Sequence, residues 1–154
     1  MRPRLAVLVV FVAATALRLA YVAEARHSVT FASPLVDAYT YDRTARRVVA
    51  EGPGALDLPF YQPPGYPLLL AAVYAVTGGS FTAPRVLQAM LGGLTVALVF
   101  ALAARAGGRR AGWIAAAMLG LLGPAIWFEG ELLPPAPILA LDTAALLLLV
   151  REEE

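Results

Sequence analysis

The chain contains no cysteine and no lysine, and His27 is its one histidine. Without thiols there is no disulfide and no thiolate metal site, and a single imidazole cannot build a histidine metal cluster. All twelve basic residues are arginine, and charged residues make up only 15% of the chain, with a formal net charge of +1. That balance supplies no electrostatic footprint for nucleic acid, so none is expected as a partner. There is also no glycine-rich phosphate loop, no internal repeat and no low-complexity tract. What remains is hydrocarbon: 60% of the 154 residues are hydrophobic and the mean hydropathy is +0.71. Soluble domains run at about 45–50% apolar. The aliphatic residues also fall in blocks of near-span length rather than in amphipathic stripes, so the chain reads as an all-α membrane protein.

Residues 5–23 form the first expected span, with Arg2 and Arg4 ahead of it. A cleaved signal peptide is the rival reading, because Ala23-Glu24-Ala25 resembles a small-x-small site. The length of the apolar stretch, and Arg18 near its end, favour an anchor. Arginines ahead of the span keep the N-terminus cytoplasmic, so the chain exits to the outer face. The next apolar block, 64–78, begins Pro64-Gly65-Tyr66-Pro67 and reaches only about 21 Å as a helix, short of a hydrocarbon core of about 30 Å. It is expected to be interfacial or re-entrant. Spans then follow at 82–105, 111–128 and 135–150, making four. Arg105, Arg109 and Arg110 fall in the short turn between the second and third, which the positive-inside rule places in the cytoplasm. Asp37, Asp42, Glu129 and Glu131 would then share one outer surface.

The outer loop, 24–80, carries the polar chemistry. Residues 39–51 are expected to form an amphipathic helix lying along the interface, with Tyr41, Ala45, Val48 and Val49 as its apolar face and Gly52-Pro53-Gly54 as its stop. Asp37 stands just ahead of that helix, where backbone N–H groups favour its ionised form. It reads either as a cap or as a general base at the membrane surface. Asp42, inside the helix, fits a solvated face better than catalysis. Arg46, Arg47 and Arg85 could meet a phosphate, or simply snorkel to lipid headgroups. Tyr39, Tyr41, Tyr61 and Tyr66 suit sugar stacking, although tyrosines also gather at interfaces for no catalytic reason. Glu129 and Glu131 read as a second acidic patch or as a plain solvated turn. With Asp37 they offer the hard oxygen ligands that Mg²⁺ or Mn²⁺ takes, though nothing requires a metal. Asp142 is costly within its apolar helix, and its depth matches that of Arg18: the two would meet if the first and fourth spans are neighbours, and otherwise Arg18 snorkels outward alone while Asp142 is protonated or bonds another helix.

Asp37-x-x-x-Tyr41 followed by Ala45-Arg46, then Gln62-Pro63-Pro64, an arginine-ended turn and an acidic outer turn leading to Pro134, resembles the start of the C-type (GT-C) glycosyltransferases. The likeness is to bacterial members related to protein O-mannosyltransferases and lipid A aminoarabinose transferases. As topology it covers the whole chain; as motif it covers about thirty residues. Three positions depart from the pattern: Ala38 stands where that family has a second acid, Gln62 where it has lysine, and Pro135 where an acid often follows the proline. The resemblance implies a plasma-membrane, multi-pass enzyme that transfers a sugar from a polyprenyl phosphate to an acceptor hydroxyl at the outer face. Transfer would invert the anomeric centre, with Asp37 as base and Tyr39, Tyr41, Asp42, Arg46, Arg47, Tyr61, Gln62, Arg85, Glu129 and Glu131 binding substrate. It also implies that 1–154 is the N-terminal module of a longer chain and inactive alone. The rivals are a non-enzymatic multi-span protein, such as a transporter fragment or assembly subunit, and a bitopic protein. A transporter would gather polar groups at the bilayer midplane, and the outer segment is too small for a soluble core.

Overall fold

The computed structural model describes residues 3–56 and 62–152, and among them every regular element is helical. The helices are α1 (Pro3–Ala25), α2 (Val36–Glu51), α3 (Gly65–Thr77), α4 (Thr82–Gly120), α5 (Gly123–Gly130) and α6 (Pro135–Glu152), with one 3-10 turn at Pro53–Ala55. Two helices are long and apolar enough to cross a membrane, and a third if α5 and α6 count as one bent span. Leu5, Leu8, Val12, Leu141, Leu148 and Leu149 lie exposed on α1 and α6. Their exposure suits lipid rather than water.

The 39 residues of α4 are two arms, not one rod. Gly107 and Gly108 leave helical geometry, the latter at φ 77°. Beyond them the chain turns back: the Phe100 and Trp113 rings meet at 5.0 Å. A Cβ on Gly112 would lie 2.9 Å from the Phe100 carbonyl, and one on Gly120 3.5 Å from the Val96 side chain. In a straight helix residues 96 and 120 would stand about 36 Å apart. Gly108 supplies the positive φ that an L-side chain resists, and Arg105, Arg109 and Arg110 are exposed around this tip.

The stretch 111–128, expected as one span, is interrupted. Leu121 and Leu122 leave the helix, and α5 restarts with a proline in its first turn. Pro124 has no N–H for the Gly120 carbonyl and disfavours helix before it. That carbonyl instead accepts from Arg18 Nη1 at 3.5 Å. A second break follows at Pro134-Pro135, where α5 and α6 meet at 117°.

The break moves Glu129 inward. Its carboxylate pairs with the Arg18 guanidinium, and both residues are buried, at 3% and 1% exposure. Arg18 also donates to the Ala14 carbonyl at 3.3 Å. Arg18 thus neither snorkels alone nor meets Asp142: it pairs with Glu129, and Asp142 lies on the exposed face of α6. Gly92 makes the room, since a Cβ there would strike both Glu129 and Arg18. Gly93 and Gly130 allow the same close approach to Thr15 and Tyr21.

The outer loop has a core of its own. Ala38, Tyr41, Ala45 and Val48 recur at helical spacing on α2 and pack against Tyr66, Leu70, Ala71 and Tyr74 of α3, with Leu132 closing the cluster. The apolar face of α2 thus meets α3, and Val49, assigned to that face from the sequence, is 48% exposed. A polar knot joins the same two helices. Asp42 accepts from Arg46 Nε at 2.9 and 3.1 Å and from the Tyr74 hydroxyl at 2.6 Å. Arg46 lies between the Tyr74 and Phe81 rings, 4.8 and 4.7 Å from their centroids, and reaches the Gly79 carbonyl at 3.3 Å. The bond to Asp42 raises the Arg46 pKa, while burial, then Asp42, push the Tyr74 phenol up and keep it a donor.

Candidate functional site

Asp37 lies in the first turn of α2, which begins three residues before the expected helix and carries no side-chain cap at Leu35. Val36, the residue before Asp37, holds a left-handed φ of 52°, an outlier for a β-branched side chain. Gln62 donates from Nε2 to Asp37 Oδ1 at 3.0 Å, across 25 residues of sequence. Ala38, where the resemblance has a second acid, points into the loop core at 5% exposure, a place where an unpaired carboxylate would be costly. Burial, then the charge of Asp37, pushes the nearby Tyr41 phenol up.

Two adjoining cavities lie at this end of the molecule, one of them lined by Asp37. One, of about 320 Å³, is lined by Asp37, Val36, Leu133, Thr30, Trp127 and Glu131. The other, of about 400 Å³, is lined among others by Tyr21, Glu24, His27 and Arg85. Thr30, Trp127 and Glu131 belong to both, so the cavities share a wall.

Arg85 is the floor of the larger cavity. It is 1% exposed, donates from Nε to the Gly130 carbonyl and from Nη1 to the Phe81 carbonyl, each at 2.8 Å, and stacks 4.0 Å from the Phe31 ring centre. Its Nη2 has no hydrogen-bond partner. A buried guanidinium with an unused donor is an anion-seeking group.

The shared wall is braced from behind. Gln88, 1% exposed, donates from Nε2 to the Glu129 and Glu131 carbonyls at 2.8 and 2.6 Å. Its own Oε1 accepts from the Tyr66 hydroxyl at 2.5 Å. Tyr66, Gln88, Arg85 and Arg18 together hold the 129–131 turn rigid, with Glu131 left half-buried at the cleft.

Of the residues singled out in the sequence, Asp37, Arg85 and Glu131 line this cleft, and Gln62 reaches it through its bond to Asp37. Asp42 and Arg46 bind each other, Tyr74 and Gly79. Tyr41 and Tyr66 bury their rings edge to face at 5.0 Å, leaving 6% and 5% of each residue exposed. Tyr39 is 51% exposed, Arg47 is partly buried on α2, and Tyr61 lies outside the described residues. Glu129 is held by Arg18. Among the described residues no three His, Cys, Asp or Glu side chains converge as a metal site. The triad of Asp37, Glu129 and Glu131 therefore does not converge on one point, Glu129 being turned to Arg18. Trp127, Thr30, Tyr21 and His27 were not legible as site residues. Trp127 next to an acidic turn, in Trp127-Phe128-Glu129-Gly130-Glu131, is the one signal that could have marked it.

A helical membrane protein with a polar, arginine-floored cleft at one end of its spans fits the class of membrane-embedded transferases. The family model described as dolichyl-phosphate-mannose-protein mannosyltransferase matches residues 61–153, more than half of the chain, and the protein belongs to that family of C-type membrane glycosyltransferases. The match includes Gln62, Arg85, Trp127 and Glu131 and begins after Asp37. No curated protein and no solved structure matches the chain.

Proposed function

We propose that the chain carries a glycosyl-transfer site that takes a sugar from a polyprenyl phosphate and delivers it to an acceptor hydroxyl at the outer face of the plasma membrane. The carrying observation is the shared wall: a carboxylate, Asp37, lines one cavity, and Arg85, whose Nη2 alone has no hydrogen-bond partner, lines the adjoining one. Transfer by inversion needs those two charges on opposite sides of the anomeric carbon. The acceptor oxygen gives its proton to the Asp37 carboxylate as it attacks that carbon. The bond from the anomeric carbon to the phosphate oxygen breaks, and the electron pair leaves with the polyprenyl phosphate. Arg85 Nη2 donates to the phosphate and stabilises the charge that grows there. Gln62, donating to Oδ1, fixes the carboxylate and leaves Oδ2 for the acceptor.

The test is Asp37→Asn in the chromosomal gene, read as transfer of labelled sugar from polyprenyl-phosphate donors to envelope acceptors in isolated membranes. The amide is nearly isosteric and cannot take the proton. Transfer should fall by at least about a hundredfold with the protein still present in the membrane. Transfer equal to that of the parent would remove Asp37 from the mechanism.

A further inference from the structure

Between the carboxylate and the guanidinium the cleft needs a surface for the sugar itself, and the tyrosines that suggest themselves from sequence do not provide it. Tyr41 and Tyr66 have their rings packed against each other inside the loop core. Trp127 is the aromatic residue lining both cavities, and it remains 47% exposed. Its ring stands edge-to-face with Phe128, at a centroid distance of 4.8 Å and an interplanar angle of 77°, and nearly half of the residue is still open to a ligand. Glu131 lies on the same wall with its carboxylate available to accept from hydroxyls, and Thr30 lines the cleft with them.

We propose that Trp127 and Glu131 form the sugar subsite of this cleft, with the C–H face of a pyranose stacked on the indole and its hydroxyls donating to Glu131. The inference rests on the glycosyl-transfer reading and deepens it by assigning the group that recognises the sugar. An aromatic face carries negative potential and attracts the weakly positive C–H hydrogens of a sugar ring. Ring hydroxyls are donors that an ionised carboxylate accepts strongly. The position also follows from order along the cleft: phosphate at Arg85, sugar at Trp127 and acceptor at Asp37. Trp127 is then a specificity residue that contributes little to holding a phosphate without a sugar.

The chain has two tryptophans, so Trp113→Phe leaves Trp127 as the one indole reporter. In that background, in nanodiscs, binding is measured for dolichyl phosphate and for its esters with mannose, glucose, galactose and an aminopentose. At least one ester should bind more tightly than bare dolichyl phosphate and change the indole emission. In a second series followed by labelled ligand, Trp127→Ala should weaken that ester at least about fivefold and leave bare dolichyl phosphate unchanged. Trp127→Phe should restore most of the difference. If bare dolichyl phosphate binds but every ester binds equally well, or the preference survives Trp127→Ala, the sugar subsite is wrong and the phosphate site stands. If neither dolichyl phosphate nor any ester binds, or Arg85→Gln leaves their binding unchanged, the glycosyl-transfer reading itself fails and the subsite with it.

Discussion

Val36 is 83% exposed and yet sits at φ 52°, immediately before the proposed base. Left-handed backbone costs a β-branched residue about 1–3 kcal/mol, and so little side-chain burial offers no return. Asparagine tolerates that geometry far better. Val36→Asn should therefore stabilise the protein by about 1 kcal/mol, read from unfolding in mixed micelles; an unchanged or lowered midpoint would mean that the strain is absent. The individual site residues were legible in proportion to how local their signal is. Asp37 and Gln62 could be placed by motif order, and Arg85 by its position at the start of a span. That Arg85 is buried with one donor unused depends on Phe31 and Gly130 converging on it from two distant parts of the chain, which no spacing encodes. Trp127 was hidden for the opposite reason: an aromatic near a span end is what any membrane protein shows.

Among the elements, α5 is the one on which the site depends most, although it has only eight residues. Its start is set by Pro124 and its end is held by three buried side chains, Arg18, Arg85 and Gln88. Hydropathy alone joined it to the arm before it, because apolar content is continuous across Leu121 and Leu122 while the backbone is not. The same continuity placed Glu129 at the outer surface, as an acidic patch or a solvated turn, and hid its buried pairing with Arg18. Removing one partner of a buried pair strands the other charge, at a cost of about 3–5 kcal/mol. Arg18→Leu and Glu129→Leu should each destabilise on that scale. The double variant should recover most of the loss, giving a strongly non-additive cycle. Additive single effects would contradict the pairing, and coupling between Arg18 and Asp142 in the parallel cycle would restore the sequence-based expectation. The helices α2 and α3 were more legible, α2 because its apolar residues recur at i, i+3 and i+4 and α3 as an apolar block too short to span. Their mutual packing was not, because a helix that buries a face against a neighbour and one that buries it in a membrane interface have the same pattern.

At the scale of the whole molecule, chain reversals fix which groups meet. The tip at Gly107 and Gly108, with its arginines, and the cleft of Asp37, Arg85 and Glu131 lie at opposite ends of the first arm of α4, which begins at Thr82. The central claim is that the cleft works at the outer face, and it requires those two ends to stand on opposite sides of the bilayer, with the arginine tip in the cytoplasm. The absence of cysteine makes the test direct. Val29, 88% exposed in the loop over the cleft, and Ala106, exposed beside the tip, are replaced singly by cysteine and treated with a membrane-impermeant maleimide. Val29→Cys should label in intact cells, and Ala106→Cys only after permeabilisation. Labelling of Ala106→Cys from outside, with Val29→Cys protected, would contradict the account.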